Sequence, residues 1–345
     1  MRRIVLPFFL LFSGWVFSGE SKDEAVGDIF TSAKLIERSP LKYPPSEARS
    51  QREGWVVLSY VVSVEGVAVD AIVVDSSGNK QFERSALSNI KTWTWEPATL
   101  NGNPVEQIYT RSKFSFNMKR TPSGARRSFV LRYKEAASLI KNGSLDEAEV
   151  KIKKLGKREK WNHYEDSWFW WLKAQYNLAQ GNKEAAYGNL LKSIAYDGVY
   201  LPDNFYMTAL EILFLSQVER AYYADALDTF SKMKEFSDGK YEDKILELSS
   251  IEEKIKIFLA SDSPIAVSGA IGEHENWPYK LNRRKFYYQN IVGSVDKFEL
   301  RCDRNRQVFE FLLDNTWEVP ESWGACTVYV YGEEGTKVEI VELRG

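Results

Sequence analysis

The side chains able to do chemistry are few and scattered. The only two histidines, His163 and His274, are far apart in sequence, which leaves little for a histidine-based triad or metal site. Glu273-His274-Glu275 has ligand-type residues in a row, but three adjacent polar residues read as a solvated loop. Gly269-Ala-Ile-Gly272 is a lone GxxG, and the chain has neither a nucleophile elbow nor a Walker A loop. These residues point to no catalytic group, no metal, no cofactor and no small-molecule substrate. The enzymatic alternative is an envelope enzyme or glycan-binding protein, for instance an acid-only glycosidase that needs only carboxylates. Trp168-Phe169-Trp170-Trp171 could line a groove that stacks peptide or sugar. At helical spacing, part of it must be core.

The two cysteines, Cys302 and Cys326, are the one pair with a clear covalent chemistry. Each closes or opens an alternating apolar run, Phe298-Glu-Leu300-Arg-Cys302 and Cys326-Thr-Val328-Tyr-Val330. Both thiols should therefore face inward on strands. A disulfide between them is expected in an oxidising compartment, contributing roughly 3 kcal/mol in the chain-entropy model.

The N-terminus supplies the reason to expect that compartment. Met1-Arg2-Arg3 precedes an apolar stretch, Ile4–Phe17, with Ser18 or Gly19 placed for cleavage. This pattern fits a signal peptide over residues 1–19. It is shorter than the roughly 20 apolar residues of a membrane span. An uncleaved anchor is the alternative. The chain has 345 residues, a formal charge of -2 and a sequence pI near 6.0. That length suggests several domains, and that balance carries no electrostatic footprint for nucleic acid. The dense basic run Lys151–Lys160 also contains Glu159 and reads as a solvated helix face and loop.

The expected fold class is α+β and multidomain. Residues 20–39 are polar and low in pattern, and read as a linker. Over 40–118 the periodicity gives strand, strand, helix, strand. Trp55–Val64 places Val56, Leu58, Tyr60, Val62 and Val64 on one face, and Glu65-Gly66 turns into Val67–Asp75. Asn79 caps a helix whose inner face carries Phe82, Ala86, Ile90 and Trp93. Trp95 leaves that helix, Pro97 stops it, and Asn101-Gly102 turns the chain into a last strand, Val105–Phe116.

Residues 126–260 are helical and repeat. Ala136, Gly143 and Ala148 recur 38 positions later as Ala174, Gly181 and Ala186, with Ala226 in a weaker third copy. The best copy, from Trp171-Leu172 to Pro202, resembles the tetratricopeptide pattern, and a helix over Tyr241–Leu259 caps the stack. Residues 262–345 return to strands: Lys285–Ile291, Lys297–Cys302, Val308–Leu313, and a hairpin turning at Gly332–Gly335. They read as a small, disulfide-pinned, sandwich-like β-domain.

One ordered series of residues carries a family resemblance. Tyr43-Pro44-Pro45, Gly54-Trp55-Val56, Glu65-Gly66, Ser77-Gly78, Trp93-Thr-Trp95-Glu-Pro97 and Asn101-Gly102-Asn-Pro-Val105 resemble the C-terminal domain of the TonB energy-transducer family over about residues 40–118. The resemblance implies the same strand-strand-helix-strand fold. It also implies a domain that binds outer-membrane receptors by adding a receptor peptide to its sheet edge. The family's receptor-contacting glutamine, three positions before the Tyr-Pro, is Pro40 here. Cleavage after Ser18 or Gly19 would detach the chain from the inner membrane. The expectation is then a periplasmic accessory of TonB-dependent transport. Its partner would be an outer-membrane receptor or another TonB-system component. With an uncleaved N-terminus it would instead be an anchored transducer. In the family the last strand is the receptor-binding edge, so Gln107, Tyr109, Thr110, Arg111 and Lys113 are the expected partner-binding residues.

Overall fold

A computed structural model describes residues 29–118, 124–157, 162–313 and 315–345. The expected signal peptide, and Arg158 to Lys160 of the basic run, lie outside the described residues. Among the described residues, no helix is long and apolar enough to cross a membrane.

The first region starts earlier than the repeat-poor sequence suggests. Within the expected linker, β1 (Phe30–Thr31) and β2 (Lys34–Glu37) are strands. They pair through backbone groups that composition does not report, so polarity alone misread this segment. α1 (Pro45–Arg49) follows, with Pro44 at its N-cap. β3 (Gly54–Val62) and β4 (Ala68–Ser76) are the expected antiparallel pair. Gly66 takes φ +74° at the turn, and a Cβ there would meet the Trp95 carbonyl oxygen at 2.0 Å. Only glycine fits that close approach.

α2 (Lys80–Ile90) is capped as expected. The Asn79 side chain accepts from the N–H groups of Gln81 and Phe82, satisfying two donors that a helix start leaves open. The helix stops at Ile90, before Trp93 and well before Pro97. Backbone turns, Thr92 N–H to the Asn89 carbonyl and Trp93 N–H to the Ile90 carbonyl, end it, so proline is not the terminator. Trp93 nevertheless packs in the core, with its indole N–H donating to Asn89 at 3.0 Å. Trp95 sits in β5 (Thr94–Glu96), which pairs with β2. β6 (Ala98–Leu100) and β7 (Asn103–Val105) form a hairpin, with β1 on the other side of β6. Asn101 and Gly102 both have positive φ, 51° and 81°, as a two-residue hairpin turn requires. The last strand, β8 (Gln107–Phe116), therefore begins two residues later than the alternation indicated, because Val105 belongs to that hairpin. The main sheet has the order β4-β3-β8.

Helices α3 (Arg127–Lys141), α4 (Leu145–Gly156), α5 (His163–Ala179), α6 (Lys183–Ser193), α7 (Asp203–Glu219), α8 (Tyr223–Ser237) and α9 (Glu242–Leu259) form the middle region. They stack as the pairs α3–α4, α5–α6 and α7–α8, with α9 against α8. Ala136, Ala148, Ala174, Ala186 and Ala226 are all at most 1% exposed. Small side chains at these crossings let the helices approach closely, and larger ones would overpack them. Gly143 and Gly181 end α3 and α5 with positive φ, and Ala221 takes the same backbone shape after α7.

The last region is a two-sheet sandwich, as expected. Its strands are β9 (Ile265–Ala270), β10 (Asn276–Lys280), β11 (Lys285–Val292), β12 (Val295–Cys302), β13 (Arg306–Glu310), β14 (Thr316–Glu318), β15 (Cys326–Gly332) and β16 (Lys337–Leu343). One sheet has the order β10-β15-β12-β13 and the other β14-β11-β16-β9. Aromatic side chains such as Phe286, Tyr288 and Phe298 fill the space between them. Cys302 and Cys326 are register partners on β12 and β15, and their sulfurs are bonded. The Gly332–Gly335 turn is not a hairpin: β15 and β16 lie in different sheets, and the turn carries the chain across the sandwich. Alternating runs flanking a turn look the same in sequence whether the second strand pairs with the first or faces it.

Candidate partner-binding site

The site is built around β3, whose nine residues are all buried. Val56, Leu58, Tyr60 and Val62 pack on α2 through Phe82, Ala86 and Ile90, with Trp93 and Trp95 closing the end. Each large side chain so buried contributes roughly 1.5–3 kcal/mol. Tyr43 holds the entry to this core. Its ring meets Phe82 and Phe116 edge-on at 5.7 and 5.8 Å, and its hydroxyl donates to the Arg52 carbonyl. Gly54 opens β3 where a Cβ would collide with Ser77 and Phe82, and Gly78 leads into the Asn79 cap. The residues that carry the family resemblance are thus the core and turns of this domain.

The other face of β3 is covered by the rest of the chain. Trp55 and Val57 pack against Tyr196 of the helical array. The Trp55 indole N–H donates to the Asp166 carboxylate at 3.3 Å, as do Trp170 Nε1 at 2.9 Å and the Tyr196 hydroxyl at 3.1 Å. His163 Nδ1 lies 2.5 Å from the Tyr196 hydroxyl, Nε2 contacts the Asn117 side chain, and the backbone N–H donates to Glu53 at 3.1 Å. Burial pushes Asp166 up to about 6 against the pull of these donors. It lowers His163 to about 4, against a partly opposing effect of the Glu53 carboxylate. The histidine thus joins the sheet to the helical array.

Farther along the same face, Arg301 of β12 is 1% exposed. Its guanidinium donates to the Ser59 hydroxyl at 2.8 Å, the Asp70 carbonyl at 2.9 Å and the Glu299 carboxylate at 2.9 Å. Arg306 also pairs with Glu299, and with Asp70 at 2.8 Å. Burial alone would raise the Glu299 carboxyl, but the two guanidinium groups and the Tyr331 hydroxyl hold it below the usual range. This buried ion network was not legible in the sequence: an arginine alternating with apolar residues looks like a solvent-facing position.

β8 lies at the edge of the sheet and pairs only with β3 among the described strands. The expected residues along it differ in their commitments. Gln107 Oε1 accepts from the Ala33 N–H at 2.6 Å, and the Tyr109 hydroxyl donates to the Ala33 carbonyl at 3.4 Å. Tyr109 also stacks on Tyr60 at 5.2 Å. A register shift lies between the Leu58 and Tyr60 pairings, so Thr110 and Arg111 fall in an irregular part of the strand. Arg111 is exposed, and its charge is among those acting on Asp75 of β4 and Asp225 of α8. The Lys113 ammonium donates to the Ala195 carbonyl and sits 4.6 Å from the Tyr196 ring centroid. Its charge is thus engaged with the helical array. Trp168-Phe169-Trp170-Trp171 is divided as helical spacing requires: Phe169 and Trp171 are core, Trp168 and Trp170 half-buried. Among the described residues no cluster of three or more His, Cys, Asp or Glu is arranged to hold a metal.

Comparison with known proteins bears on the first domain. Residues 39–118 match the family described as Gram-negative bacterial TonB protein C-terminal. The proteins named TonB from Xanthomonas campestris pv. campestris, strains B100 and ATCC 33913, are each 33% identical over 77 residues. That aligned part is 22% of this chain and 34% of the relative. The match thus spans about a third of these relatives' length. The solution NMR structure of the Pseudomonas aeruginosa TonB C-terminal domain aligns with 27% of this chain and 92% of its own, at 20% identity. The TM-score is 0.23, too low to bear on the fold. The chain therefore carries a TonB C-terminal family domain at residues 39–118, followed by a helical array and a β-sandwich outside the match.

Proposed function

We propose that this is a periplasmic protein that works by binding other envelope proteins, as an accessory of TonB-dependent transport across the outer membrane. The observation that supports this most is the position of β8. It is an edge strand with one partner, in a domain of the TonB C-terminal family. An edge strand presents unpaired N–H and C=O groups to which an extended segment of a receptor can add. The back face of the same sheet is occupied by the chain's own helical array and sandwich. Of the sheet's two edge strands, β4 and β8, the last one is the binding edge that the family resemblance implies. On this reading Gln107, Tyr109, Thr110, Arg111 and Lys113 form the binding strand. The relatives named TonB supply the transport context, and the histidine-poor, motif-poor chain supplies no catalytic alternative of equal weight.

Proline at Tyr109 or at Thr110 tests the proposal, because each removes one backbone donor from β8. Adjacent residues point their N–H groups to opposite sides of a strand, so one of the two substitutions removes an outward donor. With folding verified by circular dichroism, the outward variant is expected to lose co-purification with its envelope partner at least tenfold. Undiminished partner recovery by both folded variants would remove β8 as the interface.

A further inference from the structure

We infer that the sandwich is a self-association surface: the free edge of β13 pairs antiparallel with β13 of a second copy of this chain, about a two-fold axis at Val308. This does not depend on the reading of β8. Among the described strands the sandwich has four edges, β10 and β13 in one sheet and β14 and β9 in the other. Three of them are blunted. Pro278 stands in the middle of β10, whose Lys280 is held by Asp228 of α8, and proline interrupts a pairing edge. On β9 the Ser268 carbonyl accepts from the Tyr222 hydroxyl at 3.4 Å. β14 has only 3 residues. β13 has none of these guards, and it runs on into Phe311-Leu312-Leu313. Val308, Leu312 and Leu313 are 44%, 50% and 54% exposed. An exposed apolar edge of this kind is a template for another strand.

The β12–β13 turn fixes which backbone groups of β13 are free. The Cys302 N–H donates to the Asn305 carbonyl at 2.9 Å, so these two residues form a hydrogen-bonded pair. The alternation of an antiparallel ladder then turns the N–H and C=O of Gln307 and Phe309 toward β12, and those of Arg306, Val308 and Glu310 away from it. Antiparallel pairing of β13 with itself about Val308 sets Val308 opposite Val308, and Arg306 opposite Glu310 of the second copy at both ends. All of these are outward residues, so each opposed pair exchanges two backbone hydrogen bonds. The side chains agree with this register. The Glu310 carboxylate is exposed and joins no ion pair among the described residues. Its cross-strand neighbour Lys297 lies over the Tyr331 ring instead, 5.1 Å from the centroid. Arg306 engages Glu299 through Nε and Asp70 through Nη1, which leaves Nη2 for a carboxylate of the second copy. Like charges directly opposed hold two strands apart, whereas opposite charges placed symmetrically about Val308 draw two copies together. That self-complementarity selects a second copy over an unrelated peptide, as an isologous two-fold contact requires.

The test follows the purified full chain by sedimentation velocity over a range of concentrations, where a monomer–dimer equilibrium is expected. Val308→Pro removes an outward donor from each copy while leaving the β12–β13 ladder its own bonds, and is expected to abolish the dimer. Glu310→Lys, at an exposed position, sets a lysine against Arg306 on both sides of the axis and is expected to weaken the dimer about tenfold. The native cysteines are bonded to each other, so an introduced thiol reports alone. Val308→Cys is expected to cross-link two copies through a short bismaleimide, and Ser268→Cys on β9 is not. A chain that stays monomeric up to about 1 mM overturns the inference. A dimer left unchanged by both folded variants, or cross-linked from Ser268→Cys and not from Val308→Cys, overturns it too, because association then uses another surface. Should the proline variant fail to fold, Glu310→Lys and the cross-link decide.

Discussion

On its back face the sheet β4-β3-β8 meets the helical array through rings and hydrogen bonds gathered on buried carboxyls, and meets the sandwich through a buried ion network. The first joint joins Trp55, His163 and Tyr196 around one buried carboxyl, Asp166. The second sets Arg301 and Arg306 against Glu299 and Asp70. The two solve the same problem, covering one face of one sheet, with different means. The aromatic joint desolvates the Asp166 carboxyl, which burial raises to about 6. In the buried ion network, removing one partner strands the others. The sandwich is thus held through paired charges, and the array through rings whose donors converge on one carboxyl.

The largest expected effect comes from breaking the ionic joint. Arg301→Ala leaves the Ser59 hydroxyl and the Asp70 carbonyl without their donor, and should cost about 3–5 kcal/mol in guanidinium unfolding. Arg301→Met, which fills much of the same volume without charge, should recover little of that loss, because Glu299 stays buried; full recovery by Met would mean that packing, not the network, holds the sandwich. Reduction of Cys302–Cys326 comes next. The bond closes a loop of sequence separation 24 and should contribute roughly 3 kcal/mol. A thermal transition that does not move when the protein is reduced would show that the register of β12 and β15 suffices alone. Within the array, Ala186→Leu should cost about 1–3 kcal/mol by overpacking a fully buried helix crossing. An unchanged transition would separate the array's stability from its close crossings.

The smallest effect is in pH dependence, and its sign distinguishes the joints. Asp166 is raised to about 6 from an ordinary value near 3.8, so between these values the folded state holds a proton that the unfolded state does not. His163 is lowered to about 4 from 6.5, so there the unfolded state holds the extra proton. The first makes stability fall as pH rises, the second makes it rise, and the two nearly cancel between about pH 4 and 6. His163→Asn removes one side of that balance, so the variant should gain stability on acidification from pH 6 to 4 relative to the parent. A parallel profile would show that the two groups do not titrate in opposition. The ionic joint behaves differently. Glu299 is held below its ordinary value, so its contribution is complete above about 4.5 and is lost only as pH falls through the lowered folded value.

Much of this molecule could be read from periodicity. The strands of the TonB-type domain, the Asn79 cap, the buried alanines of the array and the inward cysteines all follow from spacing. Spacing fixes which residues share a face. One signal was present and under-read. Trp55-Val56-Val57-Leu58 is a continuous apolar run, and such a run marks a strand buried on both faces, whereas alternation had assigned it one. The short strands at Phe30–Thr31 and Lys34–Glu37 left no such signal, because they are held by backbone pairing and stay largely exposed. The chain by itself thus determined its longer elements, its disulfide and the domain type of residues 39–118. Only the tertiary structure decided which face of β3 meets which neighbour, that Arg301 is buried, that Lys113 points to the array, and that β15 and β16 part into different sheets. Those outcomes depend on contacts between residues far apart in sequence, 82 positions or more for the joints named here, or on the choice between pairing and facing. Neither leaves a period in the sequence.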